Sequence, residues 1–126
     1  MEYNFAGKTI LIVEDEEVSS FFLEKALKKT KATLFFVNDG IEAIAMMKDN
    51  PEIDLILMDI RLPRMDGIEA TSKIKSLFPE IPIIMQTAYS MQSVQDEALK
   101  SGCDEYVMKP IKIEPLLSII NKYLTA

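Results

Sequence analysis

The amino-acid sequence predicts an α/β domain built on a doubly wound, parallel sheet of five strands with helices on both faces. Five short apolar runs are continuous rather than alternating, which is typical of strands covered on both sides. A helical pattern follows each run after a short connection, as expected for right-handed strand–helix–strand crossovers. The runs are Thr9–Val13, Thr33–Val37, Leu55–Met58, Ile83–Met85 and Glu105–Val107.

Apolar residues at helical spacing predict a helix after every strand. A fourth, less regular helix is expected over about residues 93–101. The fifth pattern is the clearest, and Pro115 is compatible with it because proline is tolerated in the first turn of a helix. The stripes of the first, second, third and fifth helices are Val18, Phe22, Ala26 and Leu27; Ala43, Ile44 and Met47; Ala70, Ile74 and Leu77; and Ile113, Leu116, Leu117, Ile120 and Leu124.

Length and composition indicate a single ordinary globular domain. The 126 residues fit one core, and 48% hydrophobic with 27% charged residues argues against disorder. A net charge of −6 argues against a nucleic-acid surface. The sequence contains no histidine, which excludes histidine-based catalysis and a phosphohistidine on this chain.

Localisation follows from two further observations. The single cysteine, Cys103, cannot form an internal disulfide and fits a reducing compartment. No apolar run approaches the ~20 residues that span a bilayer. We therefore expect a cytoplasmic domain without membrane contact, although a longer parent protein could be membrane-bound.

Polar residues cluster where the predicted strands end. In doubly wound sheets the functional site lies outside the carboxyl ends of the strands, so these positions are expected to meet at one edge. They supply three carboxylates, a hydroxyl and an ammonium. These residues are Glu14, Asp15, Asp59, Thr87 and Lys109, and the fifth strand leads through Tyr106 to Lys109.

Three neighbouring carboxylates require compensation. Two unit charges ~4 Å apart repel by about 4 kcal/mol at an effective dielectric constant near 20. A hard divalent cation removes this conflict, and oxygen ligands favour Mg²⁺ or Mn²⁺. Because Mg²⁺ leaves coordination positions for phosphate oxygens, the sequence predicts a magnesium site that receives a phosphoryl group.

Each of these residues also has a purely structural interpretation. Glu14 and Asp15 could cap the helix that begins near residue 16 or 17. Asp59 could be a turn residue, and Lys109 a solvated surface charge. Their joint arrival at equivalent positions of one sheet edge favours the functional interpretation.

Four stretches resemble the receiver domains of response regulators in two-component signalling. They are Ile10–Glu17, Leu55–Gly67, Met85–Ala88 and Glu105–Pro110, and the resemblance extends over about residues 8–124. It implies a flavodoxin-like sheet with strand order 2-1-3-4-5, and one receiver domain over residues 1–126.

The resemblance assigns the acceptor and the metal ligands. Asp59 matches the phosphoacceptor, and Asp15 matches the direct ligand of Mg²⁺, for which Mn²⁺ is a possible substitute. Glu14 matches the acidic neighbour, which often acts through water. Arg61 would contribute its backbone carbonyl to the metal.

The resemblance also implies how the phosphoryl group is handled. Thr87 and Lys109 would contact its oxygens, and Tyr106 matches the aromatic switch residue. Arg61 and Tyr89 occupy positions that tune the lifetime of the phosphoryl group in this family. The peptide bond after Lys109 is expected to be cis.

The implied function is to accept a phosphoryl group from a histidine kinase or a histidine phosphotransfer domain. The only chemistry expected of the domain is its own phosphorylation and dephosphorylation. A downstream protein would bind the face formed by the fourth helix, fifth strand and fifth helix. The sequences of residues 6–15 and 105–110 resemble those of receiver domains in hybrid histidine kinases, which favours a fragment of such a kinase. A stand-alone response regulator that signals by binding partners is the alternative.

Two other classes of protein share parts of this pattern. A phosphatase of the haloacid dehalogenase type needs an acid two residues after its aspartate, and that position is Arg61. A flavodoxin needs a phosphate-binding loop after the first strand, where residues 14–17 are all acidic. Both alternatives are therefore disfavoured.

Overall fold

The computed structural model describes residues 3–88 and 92–125, in which strands and helices alternate. The strands are β1 (Thr9–Val13), β2 (Thr33–Val37), β3 (Leu55–Asp59), β4 (Ile83–Thr87) and β5 (Glu105–Met108). The helices are α1 (Glu17–Lys28), α2 (Gly40–Asp49), α3 (Gly67–Leu77), α4 (Gln92–Lys100) and α5 (Ile113–Leu124).

All five strands are parallel and lie in the order β2-β1-β3-β4-β5, which confirms the predicted fold. The last three strands extend one or two residues beyond their apolar runs. In particular, β3 includes Asp59 and β4 includes Gln86 and Thr87. Polar residues can end β3 and β4 because the sheet edge there carries the site and not the core.

The sheet separates two hydrophobic cores. Alternate residues of each central strand face opposite sides, so that Met58 lies in one core and Leu57 in the other. We name the cores by the helices that cover them. The α2–α4 core also contains Met47, Ile74 and Ala98, and the α1–α5 core contains Leu23, Leu27, Leu116 and Ile120.

The buried face of α1 differs from the predicted stripe. Val18 is 83% exposed and Phe22 is 44% exposed, whereas Leu23 and Leu27 are buried. Apolar residues occur on two sides of this helix, and Leu23 and Leu27, which lie on one side of it, are the ones that are buried. Leu77, at the end of α3, is also exposed.

Within the part of the chain that the structure describes, none of the helices has the length and apolar character that crossing a membrane requires.

Candidate functional site

The carboxyl ends of β1, β3, β4 and β5 bring four predicted residues to one edge of the sheet. Asp59 is the last residue of β3 and Thr87 the last of β4, while Glu14 follows β1 directly. Lys109 follows β5, and its backbone N–H donates a 2.8 Å hydrogen bond to the Thr87 carbonyl. The peptide bond between Lys109 and Pro110 is cis, as the resemblance implies.

The Lys109 ammonium lies between two buried carboxylates. Its Nζ is 3.1 Å from Asp59 Oδ2 and 3.5 Å from Glu14 Oε2. Glu14 is 1% exposed and Asp59 4% exposed. Because both carboxylates are shielded from water, this ammonium is an integral part of the site and not a solvated surface charge.

Three carboxylates form an acidic cluster at this edge. Glu14, Asp15 and Asp59 each place one oxygen within 4.8 Å of the others. Asp15 is exposed, so the cluster opens to solvent on one side. The formal charge of three carboxylates and one ammonium is −2, which a divalent cation balances.

Burial and mutual repulsion perturb the ionisation of this cluster. Burial, together with the charge of Asp59, raises the pKa of Glu14 to about 7, although Lys109 and the Glu16 N–H oppose the shift. Burial alone would lower the pKa of Lys109. The carboxylates of Asp59 and Glu14 outweigh that effect, and the pKa of Lys109 is raised.

Local contacts test the alternative structural roles of these acids. The N-cap of α1 is Glu16, which makes no side-chain capping bond, so neither Glu14 nor Asp15 occupies the cap position. Glu14 Oε1 nevertheless accepts a 3.3 Å bond from the Glu16 N–H. Asp59 Oδ1 accepts a 3.4 Å bond from the Arg61 N–H, which is a turn-like contact. Glu14 and Asp59 therefore support the local backbone and also face the ammonium.

Two further predicted residues lie on β4 and β5. Thr87 is 2% exposed at the end of β4. Tyr106 is half-buried on β5 against the α2–α4 core, and its hydroxyl donates a 3.0 Å hydrogen bond to Gln95 Oε1 on α4. Tyr89 lies outside the described residues.

Two features of the site were not predicted from the sequence. Gly67 begins α3 so close to Asp59 that a Cβ atom there would collide with the Asp59 carbonyl oxygen. Arg64, in the loop after β3, forms an ion pair with Asp39 at the start of α2. The close approach of Gly67 could have been suspected from the sequence, because a glycine follows Asp66, the N-cap of α3. The second joins residues 25 positions apart, and no local pattern indicates it.

The donor set fits a hard divalent cation. All three side chains of the acidic cluster offer oxygen, which Mg²⁺ prefers, and the described residues of the cluster include no nitrogen or sulfur ligand. The buried, crowded carboxylates would be relieved of their mutual repulsion by such an ion. The residues present therefore suit the metal that the sequence predicts.

Residues 10–121 match the family model of the response regulator receiver domain. The chain belongs to this family, and its function is that of a receiver domain in two-component signal transduction. Such domains typically bind Mg²⁺.

Relatives of two kinds are similar to the chain. It is 32% identical to Histidine kinase 3 of Arabidopsis thaliana over 95% of its own length but only 14% of that protein. It is 35% identical to the Chemotaxis protein CheY of Halobacterium salinarum, over 95% of its own length and 99% of that protein. The chain therefore spans a small part of some relatives and nearly the whole length of others.

Solved structures give the same fold. The receiver domain of the sensor histidine kinase PA1611 from Pseudomonas aeruginosa, with a magnesium ion coordinated in its active site cleft, has a TM-score of 0.89 and 34% identity, covering 96% of this chain and all (100%) of that one. The receiver domain of the Saccharomyces cerevisiae response regulator Ssk1 was solved with the histidine phosphotransfer protein Ypd1. It has a TM-score of 0.88 and 29% identity, covering 96% of this chain and 91% of that chain.

Proposed function

We propose that Asp59 is the phosphoacceptor of this receiver domain and that it receives a phosphoryl group from a phosphohistidine. One observation carries the proposal: a buried carboxylate at the end of a central strand lies 3.1 Å from the Lys109 ammonium and within 4.8 Å of two more carboxylates. Buried carboxylates cost free energy, so a cluster of them indicates a functional site. Binding of a cation together with a phosphoryl group is a function that requires such a cluster.

The transfer is a substitution at phosphorus. One carboxylate oxygen of Asp59 forms a bond to phosphorus while the bond from phosphorus to the imidazole nitrogen breaks, and that nitrogen leaves with the electron pair. A carboxylate nucleophile carries no proton to remove, so no basic side chain is required. Lys109 would stabilise the negative charge on the phosphoryl oxygens by its position and charge alone.

Asp15 and Asp59 would hold Mg²⁺ directly, with Glu14 acting beside them and the Arg61 backbone carbonyl as a further ligand. When bound, the ion neutralises carboxylate and phosphoryl charge. Mn²⁺ is proposed as a substitute because it accepts the same oxygen ligands. The exposure of Asp15 supports a site that the ion reaches from solvent.

Thr87 and Tyr106 would convert phosphorylation into a change of surface. Thr87 donates its hydroxyl to the phosphoryl group and draws its loop inward, and Tyr106 then turns its ring toward the space that is vacated. The half-buried ring on β5 and its hydroxyl bond to Gln95 Oε1 on α4 support this, because a turn of the ring would change a contact with α4. The downstream partner would bind the face of α4, β5 and α5.

Arg61 and Tyr89 would set the lifetime of the phosphoryl group. Both are bulky residues two positions beyond Asp59 and Thr87, and bulk there hinders attack by water. We expect slower loss of phosphate from the wild type than from Arg61→Asn or Tyr89→Ala, measured as decay of the phosphorylated protein. Equal decay rates in all three proteins would refute this role.

The phosphodonor is proposed to be a histidine kinase or a histidine phosphotransfer domain, in keeping with the relatives above. Residues 1–126 would form a single receiver domain. Its parent is proposed to be a hybrid histidine kinase, with a stand-alone regulator as the alternative. The genomic sequence on either side of the segment that encodes residues 1–126 distinguishes the two.

The decisive experiment is phosphorylation by acetyl phosphate in Mg²⁺, read by intact-protein mass. The wild type should gain one phosphoryl group, releasing acetate, and Asp59→Asn should gain none. Asp49→Asn is the matched control, because Asp49 is an exposed carboxylate at the end of α2. Label on Asp59→Asn, or none on the wild type and control, would refute the proposal.

A further inference from the structure

Gln86 is a buried polar side chain with an unused hydrogen-bond donor. It lies in β4 and is 1% exposed. Its amide Nε2 has no acceptor among the residues that the structure describes. Such a buried, unpaired donor is costly, and an aliphatic residue at the same position would avoid the cost.

The strand register places Gln86 beside the site. Gln86 pairs with Asp59 on β3, and its other neighbour is Val107, two residues before Lys109. Neighbouring strands lie about 4.8 Å apart. Ile84 and Leu57, two residues before Gln86 and Asp59, both belong to the α1–α5 core. Side chains of a strand alternate, so Gln86 and Asp59 project from the same face.

The Lys109 side chain extends across this same position. Lys109 follows β5, yet its ammonium contacts Asp59 on β3, and β4 lies between these two strands. The lysine therefore crosses the end of β4, where Gln86 lies. In this arrangement Asp59 Oδ2 accepts from Lys109 and Oδ1 from the Arg61 N–H. Both oxygens already have a donor.

We propose that Gln86 is a positioning residue that donates its Nε2–H to the Asp59 side chain once that side chain carries a phosphoryl group. The proposal rests on Asp59 being the phosphoacceptor. Phosphorylation moves negative charge from the carboxylate to the phosphoryl oxygens, and the Lys109 ammonium follows the charge. The aspartyl oxygen that loses this donor then accepts from the neighbouring amide. The donor that is unsatisfied in the resting protein is thereby satisfied in the phosphorylated one.

This exchange predicts effects of opposite sign in the two states. Gln86→Met and Gln86→Leu remove the donor while keeping a side chain of similar size. In the resting protein each should raise the melting temperature by about 2–8 °C, because a buried unpaired group is removed. Each should also weaken binding of beryllium fluoride with Mg²⁺, a mimic of the aspartyl phosphate, about 3- to 10-fold. The acyl phosphate should decay faster.

Thermal unfolding followed by circular dichroism, with and without beryllium fluoride and Mg²⁺, measures both effects. The decisive quantity is the gain in melting temperature on adding the mimic, since packing changes common to both states cancel. Gln92→Met is the control, because Gln92 is exposed on α4 and bonds only to Asp96 in the described structure. A reduced gain in the Gln86 variants alone supports the proposal.

Two results would overturn it. A gain equal to the wild type in both Gln86 variants means that the amide does not contact the phosphorylated site. A lower resting melting temperature in both means that the amide is already satisfied before phosphorylation. Failure of the wild type to gain a phosphoryl group would instead refute the proposed function itself, so the two failures are distinguishable.

Discussion

Arg64 ties the loop after β3 to the first turn of α2 through the carboxylate of Asp39. Arg64 Nη2 is 2.5 Å and Nε 2.7 Å from Asp39 Oδ2, while Asp39 Oδ1 accepts from the Glu42 N–H at 2.9 Å. Arg64 itself lies in the left-handed region, with φ of 61°. The Gly40 N–H adds a 3.2 Å bond to the Met65 carbonyl. The segment that follows Asp59 is therefore fixed to a second helix.

Asp39→Ala should destabilise the protein more than Asp39→Asn. Alanine removes the helix cap, worth about 1 kcal/mol, and the ion pair. Asparagine keeps the cap and loses only the pair, worth about 0.5–1 kcal/mol because Arg64 is half exposed and screened by solvent. Urea unfolding measures both differences, and equal losses in the two variants would contradict this division.

The contribution of Asp39 should depend on pH. Burial alone would raise the pKa of Asp39, but the Glu42 N–H and Arg64 outweigh it and hold the pKa below its usual value. Folding therefore favours the charged form, and the stabilisation is complete above the unfolded-state pKa of about 3.9. It is lost as the pH falls through the lower, folded-state value. The stability difference between wild type and Asp39→Asn should shrink only in that acid range, and a constant difference would refute the assignment.

Gly67→Ala should destabilise the fold even though helix propensity favours alanine by about 1 kcal/mol. A Cβ atom at this position would overlap the Asp59 carbonyl oxygen, with Ile60 next in contact. Overpacking against rigid backbone typically costs about 1–3 kcal/mol. We expect lower stability in urea and weaker Mg²⁺ binding, because the strand end that carries Asp59 must shift. Ser76→Ala, at an exposed position of α3, is the control and should be nearly neutral.

Lys109→Met should separate metal binding from phosphorylation. Loss of the ammonium leaves the acidic cluster with more negative charge, so the affinity for Mg²⁺ should stay the same or rise. The rate of phosphoryl transfer from acetyl phosphate should fall about 100-fold or more, because the positive charge that stabilises the phosphoryl oxygens is gone. Magnesium titration and intact mass measure the two effects. Lys48→Met, on the exposed side of α2, should match wild type. Normal uptake by Lys109→Met would exclude the proposed role.

The bond between Tyr106 and Gln95 should be measurable as a coupling energy that phosphorylation abolishes. A double-mutant cycle with Tyr106→Phe and Gln95→Leu should give about 0.5–1.5 kcal/mol in the resting protein. With beryllium fluoride and Mg²⁺ the coupling should approach zero, because the ring is proposed to turn away from α4. Equal coupling in both states would mean that the tyrosine is a structural residue.

The sequence by itself determined the sheet, the order of elements and the edge at which the polar residues meet. Continuous apolar runs require strands buried on both faces, and in a parallel sheet the residues that follow such runs share one edge. Glu14, Asp59 and Lys109 could be placed together for this reason. The prediction that these three residues lie at one edge did not depend on side-chain geometry.

Tertiary structure alone decided which contacts these elements make. Leu23 joins Leu27 in the buried face in place of Val18 and Phe22, because the rotation of α1 is set by packing in a core that it shares with β3 and α5, which are distant in sequence. The partners of Arg64 and Tyr106 depend on loop path and on side-chain direction, and so does the lack of an acceptor for the Gln86 amide among the described residues. Periodicity identifies the face of an element, but only the assembled fold brings two particular atoms within 3 Å.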